Sequence, residues 1–213
     1  MRPGRVLSLV SPLLLVAVAA TAQQQNRPAS PRGTAATQVA GRWVQEKPDA
    51  PSRYVDGKWI EVNYGRPIKR GRDVFGTGAN YGKVANPDAP VWRAGANQTT
   101  RLKTEVPLKF GDKTLPAGEY SVFVDLKENA WSLIFSNHTA QEKYDQNEKV
   151  MLWGAYGYDP KMDVLRTPMK MMKSTVSVDQ FTIGFVDVTT GGGSLAMWWD
   201  KEFAVAPFTV AGS

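Results

Sequence analysis

Residues 64–100 hold the densest set of groups able to grip a ligand. They read Tyr64-Gly65-Arg66-Pro67, then Gly71-Arg72-Asp73-Val74-Phe75-Gly76, then Tyr81-Gly82, then Trp92-Arg93-Ala94-Gly95-Ala96-Asn97-Gln98-Thr99-Thr100. Arg66, Arg72 and Arg93 are suited to clamp a carboxylate, phosphate or sulfate through paired N–H donors. Asn97 offers a donor and an acceptor, Thr100 a hydroxyl, and Trp92 a flat apolar wall. A purely architectural use competes with this one. Shielded arginines also tie irregular loops to backbone carbonyls and to acids such as Asp163.

A second word, Trp153-Gly154-Ala155-Tyr156-Gly157-Tyr158-Asp159-Pro160, mixes rings with glycines and ends in a turn. Exposed at a surface, Trp153 and Tyr156 suit stacking against a sugar. Buried, they suit the core of a β-sandwich.

Other chemistries find little support. There is no cysteine, which excludes disulfides, thiolate metal sites and a cysteine nucleophile. With His138 the only histidine, an imidazole-rich zinc or copper site is ruled out, and neither a metal nor a cofactor is implied. His138 has Ser136 nearby in sequence, but a Ser-His-Asp triad is spatial and nothing else marks one. Met162, Met169, Met171 and Met172 offer soft sulfur to Cu(I), yet Met169 and Met171 fall on one face of a strand, as core fillers do. Gly76-Thr77-Gly78-Ala79-Asn80-Tyr81-Gly82 lacks the Gly-Lys-Ser/Thr ending of a phosphate loop and reads as a surface loop. Glu61, Asp73, Asp125, Asp163 and Asp187 supply carboxylates for a hydrolase, if two of them face one cleft.

The elements that position these groups are strands. Ile60, Val62 and Tyr64 alternate on one face. Leu102, Thr104, Val106, Leu108 and Phe110 alternate against a charged outer set that includes Pro107, the mark of an edge or a bulge. Tyr120, Val122, Val124 and Leu126 continue the period. Residues 131–135, 164–172, 181–188, 195–199 and 203–210 are further candidates. About eight short strands separated by turns predict an all-β fold, an antiparallel β-sandwich or a jelly-roll-like, partly closed barrel. Only residues 139–149 have the composition for a short helix.

Residues 1–22 have the make-up of a secretory signal peptide. Arg2 and Arg5 precede an apolar run, and Ala20-Thr21-Ala22 is a small-x-small cleavage pattern. Removing 22 residues from 213 leaves 191, enough for one domain at residues 41–213. Residues 23–40, rich in Gln, Pro, Ser, Thr and Ala, read as a disordered tether. Loss of two arginines lowers the net charge from +6 to +4. The basic residues are scattered, which argues against nucleic acid as a partner. No later segment is long and apolar enough to span a bilayer.

These words resemble domain-of-unknown-function family 2911, a group of exported bacterial proteins. The matching residues are Tyr64-Gly65-Arg66-Pro67, Gly71-Arg72, Phe75-Gly76, Tyr81-Gly82-Lys83, Trp92-Arg93-Ala94-Gly95-Ala96-Asn97, Leu115-Pro116-Ala117-Gly118-Glu119-Tyr120-Ser121, Trp131-Ser132-Leu133-Ile134-Phe135 and Trp153-Gly154-Ala155-Tyr156-Gly157-Tyr158-Asp159, followed by Asp163-Val164-Leu165-Arg166. One departure is the longer run at residues 84–91, beside Trp92. The resemblance implies a periplasmic or secreted β-rich domain and carries over no catalytic residue. The residues favour binding of a polar or anionic small molecule or a glycan. A carboxylate-dependent hydrolase and a non-catalytic envelope protein are the alternatives. Expressed with its leader in a bacterium, the chain is predicted to leave the cytoplasm and to begin at Gln23. Intact mass of the exported protein checks this, and a full-length cytoplasmic product contradicts it.

Overall fold

The computed structural model describes residues 28–87 and 89–212; the expected signal peptide at residues 1–22 lies outside them. Twelve strands appear: β1 (Arg32–Val39), β2 (Arg42–Val44), β3 (Arg53–Val55), β4 (Lys58–Gly65), β5 (Thr100–Thr104), β6 (Leu108–Phe110), β7 (Lys113–Leu115), β8 (Gly118–Asp125), β9 (Ser132–Ser136), β10 (Asp163–Pro168), β11 (Lys170–Thr189) and β12 (Gly192–Val210). All pairings are antiparallel. One sheet has six strands in the order β1-β4-β5-β8-β9-β10, a second has four in the order β11-β12-β6-β7, and β2 and β3 form a small separate pair. None of these sheets closes into a barrel.

The period-two pattern is what packs the two larger sheets. Ile60, Val62 and Tyr64 of β4, Leu102 of β5, and Val122 and Val124 of β8 turn inward from the first sheet. Leu108 and Phe110 of β6, Phe181 and Ile183 of β11, and Leu195, Met197 and Trp199 of β12 meet them in the same core. Residues 101–110, which alternate as one strand, divide into β5 and β6 of different sheets. Pro107 lies at the break, where it has no ladder N–H to withhold. The inward set survives the switch, with Leu102, Thr104, Leu108 and Phe110 all buried.

Two expectations are corrected. The segment read as a tether, residues 23–40, contains β1, which pairs with β4 over its whole length. Its composition misleads because an edge strand needs few large side chains: Val39 is buried, and Ala35 packs against the core. Residues 139–149 hold no helix. They form turns, with one short bridge between Ala140 and Leu152.

One end of the sandwich is filled by aromatic rings. Trp92 stacks on Trp199 with centroids 5.9 Å apart and meets Phe181 edge-on at 4.8 Å. Phe75 packs against Trp131 at 5.1 Å. Each buried indole N–H has an acceptor: Gly95 O for Trp92, the Tyr81 hydroxyl for Trp131 and Asp179 O for Trp199. Burial lets these rings contribute area without leaving an unpaired donor. Burial also pushes the Tyr81 phenol up to about 12.

A polar bolt ties residues 66–69 to the β11–β12 hairpin. The Lys69 ammonium donates to the Asp200 carboxylate and to Ser177 Oγ, which in turn donates to Asp200 Oδ1 at 2.7 Å. Burial raises the Asp200 pKa, but the Lys69 and Ser177 hydrogen bonds and the lysine charge outweigh it and hold the carboxyl below its usual range. A carboxyl depressed by folding stabilises the protein above its unfolded pKa, about 4, and that stability is lost as pH falls through the folded value. Asp200→Asn is therefore predicted to be less stable than the parent at pH 7, with the gap narrowing from about pH 5 downward. Urea midpoints across pH measure it, and a gap that does not change with pH contradicts it.

Candidate functional site

The site is built on strands that are apolar on both faces. In β8 and β9, Val122, Val124, Leu133 and Phe135 face the main core, whereas Phe123 and Ile134 face the other way. A sheet face of that kind must be covered, and residues 137–159 cover it. Leu152 and Ala155 join Phe123, Ile134 and Val91 in a second buried cluster, with Tyr158 packed alongside. Each large side chain buried there contributes about 1.5–3 kcal/mol. The base of the covering segment is cinched by Gln141 N donating to Leu152 O and Leu152 N donating to Thr139 O, both at 2.9 Å.

The Trp92–Thr100 word locks this cover down. Trp92 exchanges both backbone hydrogen bonds with Val124 of β8 at 2.8 Å. The chain then folds back through Ala94 (φ 48°) and Asn97 (φ 63°), and Thr100 Oγ1 donates to Ala94 O at 2.8 Å. Gly65 and Gly95 make this turn possible. A Cβ on Gly65 would overlap the Ala96 carbonyl oxygen, and one on Gly95 (φ 155°) would lie 2.6 Å from Gly65 O. Thr99 Oγ1 donates to Gly154 O at 2.7 Å, joining the two words that stand out in the sequence.

Between residues 138 and 157 lies an open cleft of about 670 Å3. Tyr144 and Trp153 form one wall, their rings 5.6 Å apart and tilted by 56°. Tyr156, 54 % exposed, stands on the rim. Val150 and Met151 add exposed apolar surface, and Asp145 and Glu148 add carboxylates. The loop holds its own shape. Glu148 Oε1 accepts from the N–H groups of Val150 and Met151, and these bonds lower the Glu148 pKa. Gln141 donates to Met151 O and accepts from Asp145 N. The polar atoms of the rings are different. No described residue is hydrogen-bonded to the Tyr144 hydroxyl, the Tyr156 hydroxyl or Trp153 Nε1, whereas the indoles buried in the core are all satisfied.

His138 lines the cleft but is committed: Nε2 lies 2.9 Å from Asp159 N and 3.1 Å from Asp159 O. Ser136 is fully buried and its hydroxyl donates to Met162 O, so no Ser-His pair forms. Tyr158 donates to Asp163 Oδ2 at 2.6 Å and accepts from Arg166; burial and then the Asp163 carboxylate raise its pKa. This triad anchors the end of the covering segment.

The predicted site residues separate. Arg72 donates to Lys69 O and Ile68 O of its own turn. Arg66 reaches toward Phe181 O and Thr182 Oγ1 of β11. Asn97 is exposed, with Nδ2 3.5 Å from Ser30 O. Trp92 and Thr100 are buried. Arg93 alone of the arginines approaches the cleft, running beneath Gly154 to Tyr156. Trp153 and Tyr156 line the cleft itself. Of the carboxylates, Asp73 accepts from Gly76 N, and Asp125 and Asp163 both lie by Arg166. Glu61 shares a hollow of about 430 Å3 with Glu105, Lys103 and Trp59 on the outer face of the first sheet. Sequence reasoning passed over Tyr144, Asp145 and Glu148. Their signal was the turn-forming run Asp145-Gln146-Asn147, in which Asp145 Oδ1 accepts from Asn147 N. Among the described residues no three His, Asp or Glu side chains gather to hold a metal, and no helix is long and apolar enough to cross a membrane.

Fold and cleft together define an antiparallel β-sandwich with one aromatic-walled hollow in its covering loop. The family model described as protein of unknown function (DUF2911) matches residues 47–208, and the chain belongs to that family. No curated protein and no solved structure matches the chain.

The turn at Gly65 yields a test of this construction. Gly65→Ala is predicted to cost at least about 2 kcal/mol, because two backbones must part. Gly111→Ala, at φ 62° with open space around it, costs about 1 kcal/mol from its backbone conformation alone. Equal unfolding midpoints for the two variants would contradict the close approach.

Proposed function

We propose that the protein is an exported, non-catalytic binding domain that takes a saccharide in the cleft between residues 138 and 157. The observation that carries this reading is the wall of Tyr144, Trp153 and Tyr156, whose rings share one cleft while their polar atoms have no partner among the described residues. A pyranose presents a C–H face and a rim of hydroxyls. Rings meet the first by dispersion, and a phenol or indole beside them meets the second. The volume falls within the usual range for small-molecule sites. Asp145 and Glu148 each keep an oxygen beyond their turn bonds to accept from hydroxyls.

Export rests on the leader-like make-up of residues 1–22. A hydrolytic role has less support. Asp73, Asp125 and Asp163 are tied to backbone or to Arg166 away from the cleft, His138 and Ser136 are each committed to other partners, and the two carboxylates that line the cleft, Asp145 and Glu148, each hold a turn of their own loop.

The test is a melting-temperature screen of residues 23–213 against cellotriose, chitotriose, xylotriose and trigalacturonate. At least one is expected to raise the melting temperature. Trp153→Ala is expected to weaken that binding at least tenfold, while Trp43→Ala, which removes an exposed ring elsewhere, leaves it unchanged. Stabilisation by none of the four, or equal binding by Trp153→Ala, contradicts the reading.

A further inference from the structure

Sugar rings account for the Tyr144, Trp153 and Tyr156 wall of the cleft, but not for the apolar side chains beside it. Val150 is 78 % exposed and Met151 40 % exposed, and both line the cleft. A rim of hydroxyls gains nothing from such surface. The pair is held in place. Glu148 Oε1 accepts from Val150 N at 2.7 Å and from Met151 N at 3.2 Å, and Gln141 Nε2 donates to Met151 O at 2.9 Å.

The same bonds set a carboxylate against the apolar pair. Both turn bonds use Glu148 Oε1, which leaves Oε2 to face a ligand. The N–H groups of Val150 and Met151 also hold the Glu148 carboxyl below its usual range, so near neutral pH it only accepts. Lys149, between them in sequence, donates to Gln146 O at 2.9 Å and has two further N–H groups. An acceptor, a donor and a patch of apolar surface therefore share residues 148–151, all of which line the cleft.

The common ring substituents use this set differently. A hydroxyl uses the acceptor or the donor and leaves the apolar patch wet. A carboxylate is repelled by Asp145 and Glu148. An ammonium is drawn to those two carboxylates, but it is opposed by Lys149 and gains nothing from Val150 and Met151. An acetamido group presents an N–H, a carbonyl oxygen and a methyl in one planar unit, and each of the three has a counterpart. We propose that the cleft selects saccharides that carry acetamido groups, with the ring on the Trp153 wall, the amide N–H on Glu148, the carbonyl on Lys149 and the methyl over Val150 and Met151. This rests on the saccharide reading of the cleft and deepens it.

The experiment is calorimetric titration of residues 23–213 with three trisaccharides of one skeleton. Chitotriose carries an acetamido group on each ring, cellotriose has a hydroxyl there, and fully deacetylated chitotriose has an ammonium. A shielded methyl and a satisfied amide each give severalfold in affinity, so chitotriose is expected to bind at least about tenfold more tightly than either of the others. Val150→Thr combined with Met151→Gln keeps the side-chain size and removes the apolar surface. It is expected to abolish most of that preference and to leave cellotriose affinity within about twofold. Val150→Ala, which trims the patch alone, loses part of the preference and serves if the double variant does not fold. Equal affinity for chitotriose and cellotriose overturns the acetamido assignment while the cleft still binds sugar. Binding of the deacetylated trimer as tight as that of chitotriose, or a preference that survives the double variant, overturns it in the same way. If no saccharide of any kind binds, the cleft reading fails and takes this inference with it.

Discussion

The close approach of two backbones, at Gly65 and Ala96, is the constraint on which the rest of the site depends. Ala96 N donates to Gly65 O at 3.3 Å, and neither Gly65 nor Gly95 has room for a side chain. The contact lets the chain turn back on itself directly after Trp92. That turn leaves the Trp92 ring between the sheets, against Trp199 and Phe181, and sends Arg93 the other way. One residue pair therefore faces two environments: an apolar core that needs Trp92 and a covering loop that admits Arg93.

The covering loop in turn follows from strands β8 and β9. Their outer faces carry Phe123 and Ile134, which water would penalise. Leu152 and Ala155 remove that penalty, and Thr99 fixes the loop through Gly154 O. With its ends pinned, the loop presents the exposed ring of Tyr144 beside the half-buried ring of Trp153. A rigid base under an exposed aromatic wall is the arrangement that a binding surface needs, since preorganised rings lose little entropy on contact.

Much of the fold was legible because alternation survives tertiary detail. The inward residues of β4, β5, β6 and β8 are those the period picked out, even though Pro107 divides one expected strand between two sheets. The strand β1 was not legible, because its inward positions are a glycine, an alanine and a threonine before Val39. The covering loop had a signal that alternation alone overlooks. Leu133-Ile134-Phe135 is a continuous apolar run, the mark of a strand buried on both sides. At the site, Trp153 and Tyr156 could be found from rings among glycines. The arginines could not be told apart, since whether a guanidinium turns to its own loop, as in Arg72, or runs beneath a neighbouring one, as Arg93 does at Gly154, depends on backbone directions that residue types do not encode.

Hydrogen exchange of backbone amides, with and without a bound saccharide, tests the central claim most directly. The interlock of residues 92–100 with residues 153–157 predicts that amides of Trp92, Ala96 and Leu152 open together, at a free energy close to that of global unfolding. Amides of residues 142–149 are predicted to exchange fast and to slow when saccharide binds. Independent, rapid exchange at Trp92 and Ala96, or protection by saccharide on the outer face of β1 and β4 instead, would contradict the account.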